Sequence, residues 1–345
     1  MTLTSVVASV ALSATFAPAD ISDLWAGRAR FQIDDRSIGA ELGMHFISTS
    51  WFNGYLHAYY IDRNGGVGLA RSSDGRRFQF VASVVPKGRT GAWDSAFATF
   101  PGYALLTTNR NAVVYEGKGT DGNRWPGDIG LAVGPTFQDF TKDANPILIH
   151  AKSTGRDGSL NLSWERNNIG TPSIIVVGSE RFLFYHGFGT SWERGSPDDV
   201  QMGLATGTDL RNLKREATGP ILRTGPAGSW DSGQTGRRSI MKGKDNRWYM
   251  AYEGSTDARR SADGRSYTFD WAVYSSGIAR SSNLRSWTKF SQNPVLPRTN
   301  PVEFDKSRQG YGYDGPEFVK FPDGKLFLYF RAPNGATKRA ELVWR

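Results

Sequence analysis

Trp–acid pairs recur along the chain, Trp93-Asp94, Trp164-Glu165 and Trp230-Asp231 among them, and an acidic run, Tyr313-Asp314-Gly315-Pro316-Glu317, follows near the C-terminus. Carboxyl groups supplied from separate segments can form an acid/base pair, one protonated to donate and one ionised to activate water or attack. Asp94, Glu165, Asp231 and Asp314 are the candidate catalytic acids. Around them His45, Trp93, Arg166, Trp230, Arg237, Arg238 and Glu317 are candidates for substrate binding. Indole faces suit sugar rings, and the guanidinium forks of Arg237 and Arg238 suit a carboxylate, sulfate or phosphate. Each has a structural alternative: a repeated Trp–acid pair also serves packing, the Trp covering a strand edge and the acid capping a turn. A lone His is commonly a satisfied structural residue, and Glu317 also fits a salt bridge inside a strand. His186 and Glu253, at the ends of their strands, read as hydrogen-bonding residues that stabilise the sheet.

Acids this far apart meet only if the fold brings them together, and the chain carries a repeat able to do so. GLARSSDGRRF at 68 returns as GLAVGPTFQDF at 130, GLATGTDLRNL at 203 and GIARSSNLRSW at 277. Ahead of these lie aromatic-rich strands, YLHAYYID (55–62), YALLTTNR (103–110), RFLFYHGF (181–188) and RWYMAYEG (247–254), with a fifth, KLFLYFRA, at 325–332. Further upstream SIIVV (173–177), SIMK (239–242) and PEFVK (316–320) end in Gly-containing turns. Four short strands per unit, repeated five times, predict an all-β, five-bladed β-propeller with four-stranded antiparallel blades. The last unit runs out of chain after KRAELVW (338–344), so LWAGRARFQI (24–33) is expected to complete it, which removes an unpaired sheet edge. In this reading Gly-Leu-Ala is the third strand of a blade. Aligning the innermost strands places Met44-His45, Asp94-Ser95, Gly170-Thr171, Gly236-Arg237 and Asp314-Gly315 at comparable points facing one axial pocket.

Composition agrees with many short strands and turns: 345 residues include 40 Gly, 16 Pro, 11 Trp, 13 Tyr and 20 Phe. The absence of cysteine excludes disulfides, thiolate metal sites and a catalytic thiol. A net charge of +9 admits an anionic partner, but the basic residues come in pairs rather than blocks, and no recognition helix, aromatic–basic platform or zinc pattern points to nucleic acid. Residues 1–22 read as a signal peptide or an N-terminal extension, with Ala17-Pro18-Ala19 as a small-x-small cleavage site but no basic region ahead of it, and 23–345 as the propeller domain. That favours a secreted or periplasmic protein, with a cytoplasmic one as the alternative. No apolar stretch is long enough to span a bilayer.

With the blade pattern, the N-P-[IV]-L turns and the W-[DE] pairs in view, the chain resembles the five-bladed propeller glycosidases, glycoside hydrolase families 43, 32, 68 and 130, over residues 24–345. The resemblance implies cleavage of glycosidic bonds, often furanosidic, in an oligo- or polysaccharide, by paired carboxylates in the central channel. An anionic substrate fits the basic balance. No cofactor is required, and an axial structural cation, which a His holds in some relatives, is compatible with the fold. The family-43 pattern sets a base on blade one, a modulating Asp on blade two and a Glu acid on blade three. Asp94 and Glu165 match the last two in type and order. Blade one departs, since IGAELGMHFIST has Glu41 and His45 but no Asp at the inner strand, so Asp314 or Asp231 would have to replace the base. Asp314-Gly315-Pro316 resembles the family's Glu-Gly-Pro acid motif, with Asp in the Glu position and on another blade. A carbohydrate-binding propeller without catalysis, and a phosphorolytic enzyme with phosphate on Arg237 and Arg238, remain open beside hydrolysis.

Overall fold

A computed structural model describes residues 17–44, 46–119, 127–150, 163–166, 168–188, 200–216, 219–256, 259–260, 267–268, 273–297 and 312–345. Five four-stranded antiparallel sheets radiate from a common axis. From inner to outermost strand, blade one is Phe46–Phe52, Tyr55–Ile61, Val67–Ser72 and Gln79–Val85. Blade two is Phe97–Thr107, Arg110–Lys118, Asp128–Gly134 and Thr141–Lys142. Blade three is Asn168–Val177, Glu180–Phe188, Gln201–Gly207 and Lys214–Arg215. Blade four is Gln234–Lys242, Trp248–Ser255, Tyr274–Ser281 and Thr288–Lys289. Blade five is Asp314–Lys320, Leu326–Arg331 and Thr337–Trp344, completed by Ala29–Asp34 from the other end of the chain.

Each blade has two apolar faces, so among the described residues the core is not one cluster but five, one between every pair of neighbours. Tyr59, Val67, Val113 and Tyr115 fill the gap between blades one and two. Leu131, Ile174 and Leu183 fill the next. Phe184, Met250 and Tyr252 follow, then Tyr249, Ile278, Phe318 and Leu328, and Tyr60, Val319 and Tyr329 close the circle. The short helix Ile21–Trp25, capped by Asp20, buries Ile21 and Leu24 in the cluster between blades four and five, and Trp344 Nε1 donates to the carbonyl of Ala17. Among the described residues, packing reaches as far upstream as Ala17, inside the segment 1–22 read as a signal peptide or N-terminal extension. Among the described residues no helix is long and apolar enough to cross a membrane.

The repeat has a packing cause. The glycine of Gly-Leu/Ile-Ala lies under an aromatic ring of the same blade: a Cβ at Gly68 would sit 2.7 Å from the Tyr60 ring, at Gly130 2.3 Å from Tyr115, at Gly203 2.5 Å from Tyr185 and at Gly277 2.6 Å from Trp230. Only glycine allows the third strand to lie that close.

One strand differs from the sequence reading. The segment 103–110, expected as the second strand of blade two, is mostly the far half of its inner strand, Phe97–Thr107, and the second strand is Arg110–Lys118. Pro101-Gly102 lies in a β-bulge, the register slipping between Thr99 and Gly102 while the strand runs on.

Candidate active site

The three named Trp–acid pairs do not face the axis. Each is one copy of a device inside its blade. The Asp94 carboxylate, 3% exposed, accepts the Tyr115 hydroxyl at 3.0 Å and the Lys142 ammonium at 2.6 Å, joining the second strand to the outermost. Glu165 takes Tyr185 at 2.7 Å and pairs with Arg215 at 2.5 Å. Asp231 takes Tyr252 at 3.1 Å and pairs with Lys289 at 2.5 Å. Trp93 and Trp164 stack on Tyr115 and Tyr185 at 5.8 and 6.0 Å, and Trp230 lies tilted on Tyr252 at 5.4 Å. Glycines 117, 187 and 254 make room for these indoles, since a Cβ on any of them would fall within 2.8 Å of the ring. A buried carboxylate needs a cation and donors to offset its desolvation, and these three have both within their own blade.

The expected alignment of inner strands holds for blades three and five, is one residue out in blade four, where Thr235 precedes the bulge, and two out in blade one, where Phe46 does, and fails for blade two. Gly170 pairs with His186 and Asp314 with Arg331, while the matching partner of Glu116 is Thr99, five residues beyond Asp94. Asp94, Glu165 and Asp231 thus precede the axial positions, and their convergence with Asp314 is not what the fold produces. Arg166 is exposed, and His45 lies outside the described residues.

What reaches the axis is set by a bulge in every inner strand, between Phe46 and Ser48, Thr99 and Gly102, Gly170 and Ser173, Thr235 and Arg238, and Asp314 and Glu317. Phe100, Thr171 and Gly315 adopt φ of 50°, 43° and 59° there. For Phe100 and Thr171 this conformation costs about 1–3 kcal/mol each. The bulges turn polar groups sideways, and a closed circuit of hydrogen bonds ties each blade to the next. Tyr103 N donates to Ser48 Oγ, Thr171 N to Glu116 Oε2, Arg238 to the carbonyl and hydroxyl of Thr171, Gly315 N to Glu253 Oε2, and Thr49 N and Oγ1 to Glu317 Oε1.

Arg238 belongs to this circuit rather than to a substrate pocket: it is 5% exposed, and burial pulls its guanidinium down to about 9. His186 is likewise structural, bonded to Thr171 Oγ1 at 2.8 Å and 3.3 Å from Asn168 Nδ2, with burial holding its imidazole well below its usual range.

Two acids of the circuit differ in a way that separates clasp from chemistry. Glu116 is neutralised by Lys118 at 3.3 Å. Glu253 instead stands beside Asp314. Burial first, and the Asp314 charge second, push the Glu253 carboxyl up to about 7. Asp314 meets Arg331 through both oxygens, with Arg331 Nε at 2.9 and 3.1 Å. Burial also pushes Glu317 up to about 7, against the hydroxyl donors Thr49 and Ser239. Arg237 lies among all three acids and Arg331, and Tyr274 shares the field of Glu253, Asp314 and Arg331. Of the sequence candidates, Asp314, Glu317 and Arg237 therefore come together, joined by Glu253 and Tyr274. The signal for Glu253 was the Tyr-x-Gly strand end at 115–117, 185–187 and 252–254, whose middle residue points to the hub. Among the described residues no group of three or more His, Asp or Glu side chains is arranged to hold a metal ion.

The fold is that of the five-bladed propeller glycoside hydrolases. Among the solved structures like this chain is a thermostable family-43 glycoside hydrolase, 16% identical, covering 88% of this chain and 90% of its own, with a TM-score of 0.61. A glycosyl hydrolase from Bacteroides ovatus is 17% identical over 86% and 84% with a TM-score of 0.58. A third comes from family 130, a family of mannoside phosphorylases containing glycoside hydrolases that target β-1,2-mannosidic linkages in Candida mannan. It is 16% identical over 91% and 94% with a TM-score of 0.61. No family model and no curated protein matches the sequence.

Proposed function

We propose that this propeller hydrolyses glycosidic bonds in an oligo- or polysaccharide, with Glu253 as proton donor and Asp314 as its ionised partner. The observation that carries the reading is the pair itself: the Glu253 carboxyl, pushed up to about 7 by burial and by the Asp314 charge, beside Asp314, which is held through both oxygens by the Arg331 guanidinium. Glycoside cleavage needs such a pair, because the donor must hold its proton near neutrality while its partner stays charged. The fold shared with glycoside hydrolases adds to it. Arg237 lies beside the acids. Tyr274 lies diagonally across from Glu253 on the paired strands, where Glu253 faces Ser276 and Ser255 faces Tyr274. Burial raises its hydroxyl far above the working range, so it remains a donor to substrate oxygen.

The test is a panel of aryl pyranosides, aryl furanosides and polysaccharides assayed with the wild-type protein, Glu253→Gln and Asp314→Asn. General acid–base catalysis contributes about 10²–10⁴-fold, so each variant should lose at least a hundredfold in kcat/KM while still folding. Wild-type rates in both variants would remove the assignment. Asp314 is 1% exposed and has both oxygens on Arg331, which favours a binding propeller as the second reading. Retention of glycans on an array without cleavage of any of them would select it.

A further inference from the structure

The carboxyl of Glu253 is held on both oxygens by neutral N–H groups, and the inference from that hold rests on the hydrolase reading of the same carboxyl. Oε2 accepts Gly315 N at 3.0 Å, and Oε1 accepts Gln234 Nε2 at 2.5 Å. Gln234 opens the inner strand of blade four and is buried. Its backbone is pinned on both sides, Gly233 N donating to the carbonyl of Ser255 at 2.9 Å and Thr235 N to that of Val200 at 2.7 Å. Gly236 leaves the room in which the two side chains meet, since a Cβ there would fall 2.7 Å from Glu253 Oε1 and 3.0 Å from Gln234 Nε2.

The same place in two neighbouring blades shows what the choice of partner does. In blade two Phe97 and Lys118 face each other at this register, and the Lys118 ammonium lies 3.3 Å from Glu116. In blade four the facing pair is Gln234 and Ser255. In blade three Asn168 begins the inner strand as Gln234 does, and its Nδ2 lies 3.3 Å from Nε2 of His186. His186 and Glu253 are the middle residues of matching Tyr-x-Gly strand ends, and burial drives both toward their neutral forms. An amide thus accompanies the hub group pushed toward neutrality, and an ammonium the one in an ion pair. The reason is chemical. An amide carries a donor and an acceptor, and a half-turn about its last bond exchanges them, so it bonds to a carboxylate through N–H and to a carboxylic acid through C=O. An ammonium only donates, and it favours the anion. The charged and titratable groups facing Glu253 are Asp314 from the inner strand of blade five, Arg331 from its second strand, Arg237 and Arg238 from the inner strand of blade four, and the neutral Tyr274 from its third. Gln234 adds no charge to this set.

We propose that Gln234 is the positioning residue of the proton donor: its amide holds Glu253 Oε1 in both protonation states, fixing the rotation of the carboxyl while leaving its proton free to come and go. Each catalytic cycle passes through both states, because the donor is ionised once the leaving group departs and must be protonated again. A partner able to bond to only one of them would release the carboxyl halfway.

Two readouts test this, one of them free of turnover. The first follows the Glu253 carboxyl from pH 5 to pH 9 by carbon-13 NMR of protein labelled at glutamate Cδ, with Glu253→Gln identifying the signal. The second measures kcat and KM at pH 6 on an aryl glycoside that the wild type cleaves. Gln234→Met removes the amide, and Gln234→Asn, which keeps the polarity of the site and guards against a variant that fails to fold, withdraws it by one carbon. Both should leave the titration within about half a unit of wild type, since the amide serves both forms, yet lower kcat about tenfold or more with KM within about threefold, since the carboxyl swings free. Isosteric Gln234→Glu places a second carboxyl against the first and should move the Glu253 titration up by about one unit or more. Wild-type kcat in both amide variants, a loss carried by KM instead, a titration displaced further than half a unit in both, or one that Gln234→Glu leaves unmoved overturns the proposal. The two readings fail separately. Wild-type turnover in Glu253→Gln removes the donor assignment, while the upward shift in Gln234→Glu still reports the contact. Cleavage that Glu253→Gln abolishes, with kcat intact in Gln234→Met and Gln234→Asn, removes the positioning role and leaves the hydrolase.

Discussion

Glu253 Oε2 accepts the backbone N–H of Gly315 at 3.0 Å, so a blade-four carboxyl is held by the residue that follows Asp314 of blade five. Glu116 makes the same bond to Thr171 between blades two and three, at 3.0 Å. The two contacts share a structural origin in the inner-strand bulge and differ in their surroundings, Lys118 beside one and Asp314 beside the other. A blade-to-blade clasp thus becomes a candidate acid when a second carboxylate stands beside it.

That contrast predicts the pH–rate profile. Glu253, raised to about 7, donates only while protonated, so kcat/KM should fall above about pH 7 as the carboxyl ionises. The measurement is kcat/KM from pH 5 to 9 on whichever glycoside the panel reveals. An alkaline limb displaced by two units or more would assign the proton to another group.

Glu317 gives a prediction about stability. Its carboxyl rises from 4.5 to about 7 on folding, so the folded state binds this proton more tightly than the unfolded chain. Its contribution is fullest below the unfolded value and is lost as the pH rises through the window from about 4.5 to 7, by about 3 kcal/mol in all. Glu317→Gln cannot ionise. Urea unfolding at pH 5 and pH 8 should therefore show the variant gaining relative to wild type at the higher pH. An unchanged difference between the two would show that the Glu317 carboxyl titrates normally.

Asp94 separates the structural role from the catalytic one. Its carboxylate is spent on Tyr115 and Lys142, and breaking such a pair leaves a poorly compensated ammonium. Asp94→Asn should cost about 3 kcal/mol of stability, while folded protein keeps its specific activity. The informative pair of measurements is the urea midpoint and the rate per folded molecule. Loss of the rate at an unchanged midpoint would put Asp94 back at the reaction centre.

Architecture was legible because it rests on local chemistry that repeats: a glycine under an aromatic ring, an acid beside a Trp, a cation on the outermost strand. The strand closing blade five was legible for a related reason, since a missing fourth strand leaves an edge that only the other end of the chain, Ala29–Asp34, can cover. The site was less so. Pro101-Gly102 carries turn chemistry inside a continuous strand, which moved the blade-two alignment by five residues and drew Asp94 to the axis. Asp314, Glu317 and Arg237 were placed at the hub because the innermost strands of blades four and five align to within one residue. Glu253 was seen but read as a clasp, because its raised pKa arises from burial in the hub first and from Asp314, 61 positions away in the chain, second.

The repeated glycine can be tested by itself. At Gly130 an added Cβ would fall 2.3 Å from Cζ and 2.7 Å from Cε1 and Cε2 of Tyr115. The ring cannot retreat, because Trp93 stacks on it at 5.8 Å and its hydroxyl is bonded to Asp94. The third strand must then move outward from the second, against the buried Leu131 and Ala132 on either face of the blade. Overpacking of this kind costs about 1–3 kcal/mol, and Gly130→Ala should fall at the upper end because the neighbour is a pinned ring rather than a flexible chain end. Gly54→Ala is the control, for nothing lies within 4 Å of its Cβ position. Gly54 sits at φ 77° in the Asn53-Gly54 hairpin turn, so that variant loses stability through backbone strain alone. Adding Tyr115→Leu, which removes the ring hydroxyl and most of the clash, distinguishes the causes. It should recover part of the loss in Gly130→Ala and none in Gly54→Ala, and equal behaviour of the two glycine variants in that background would show that the close approach is not what the repeated glycine provides.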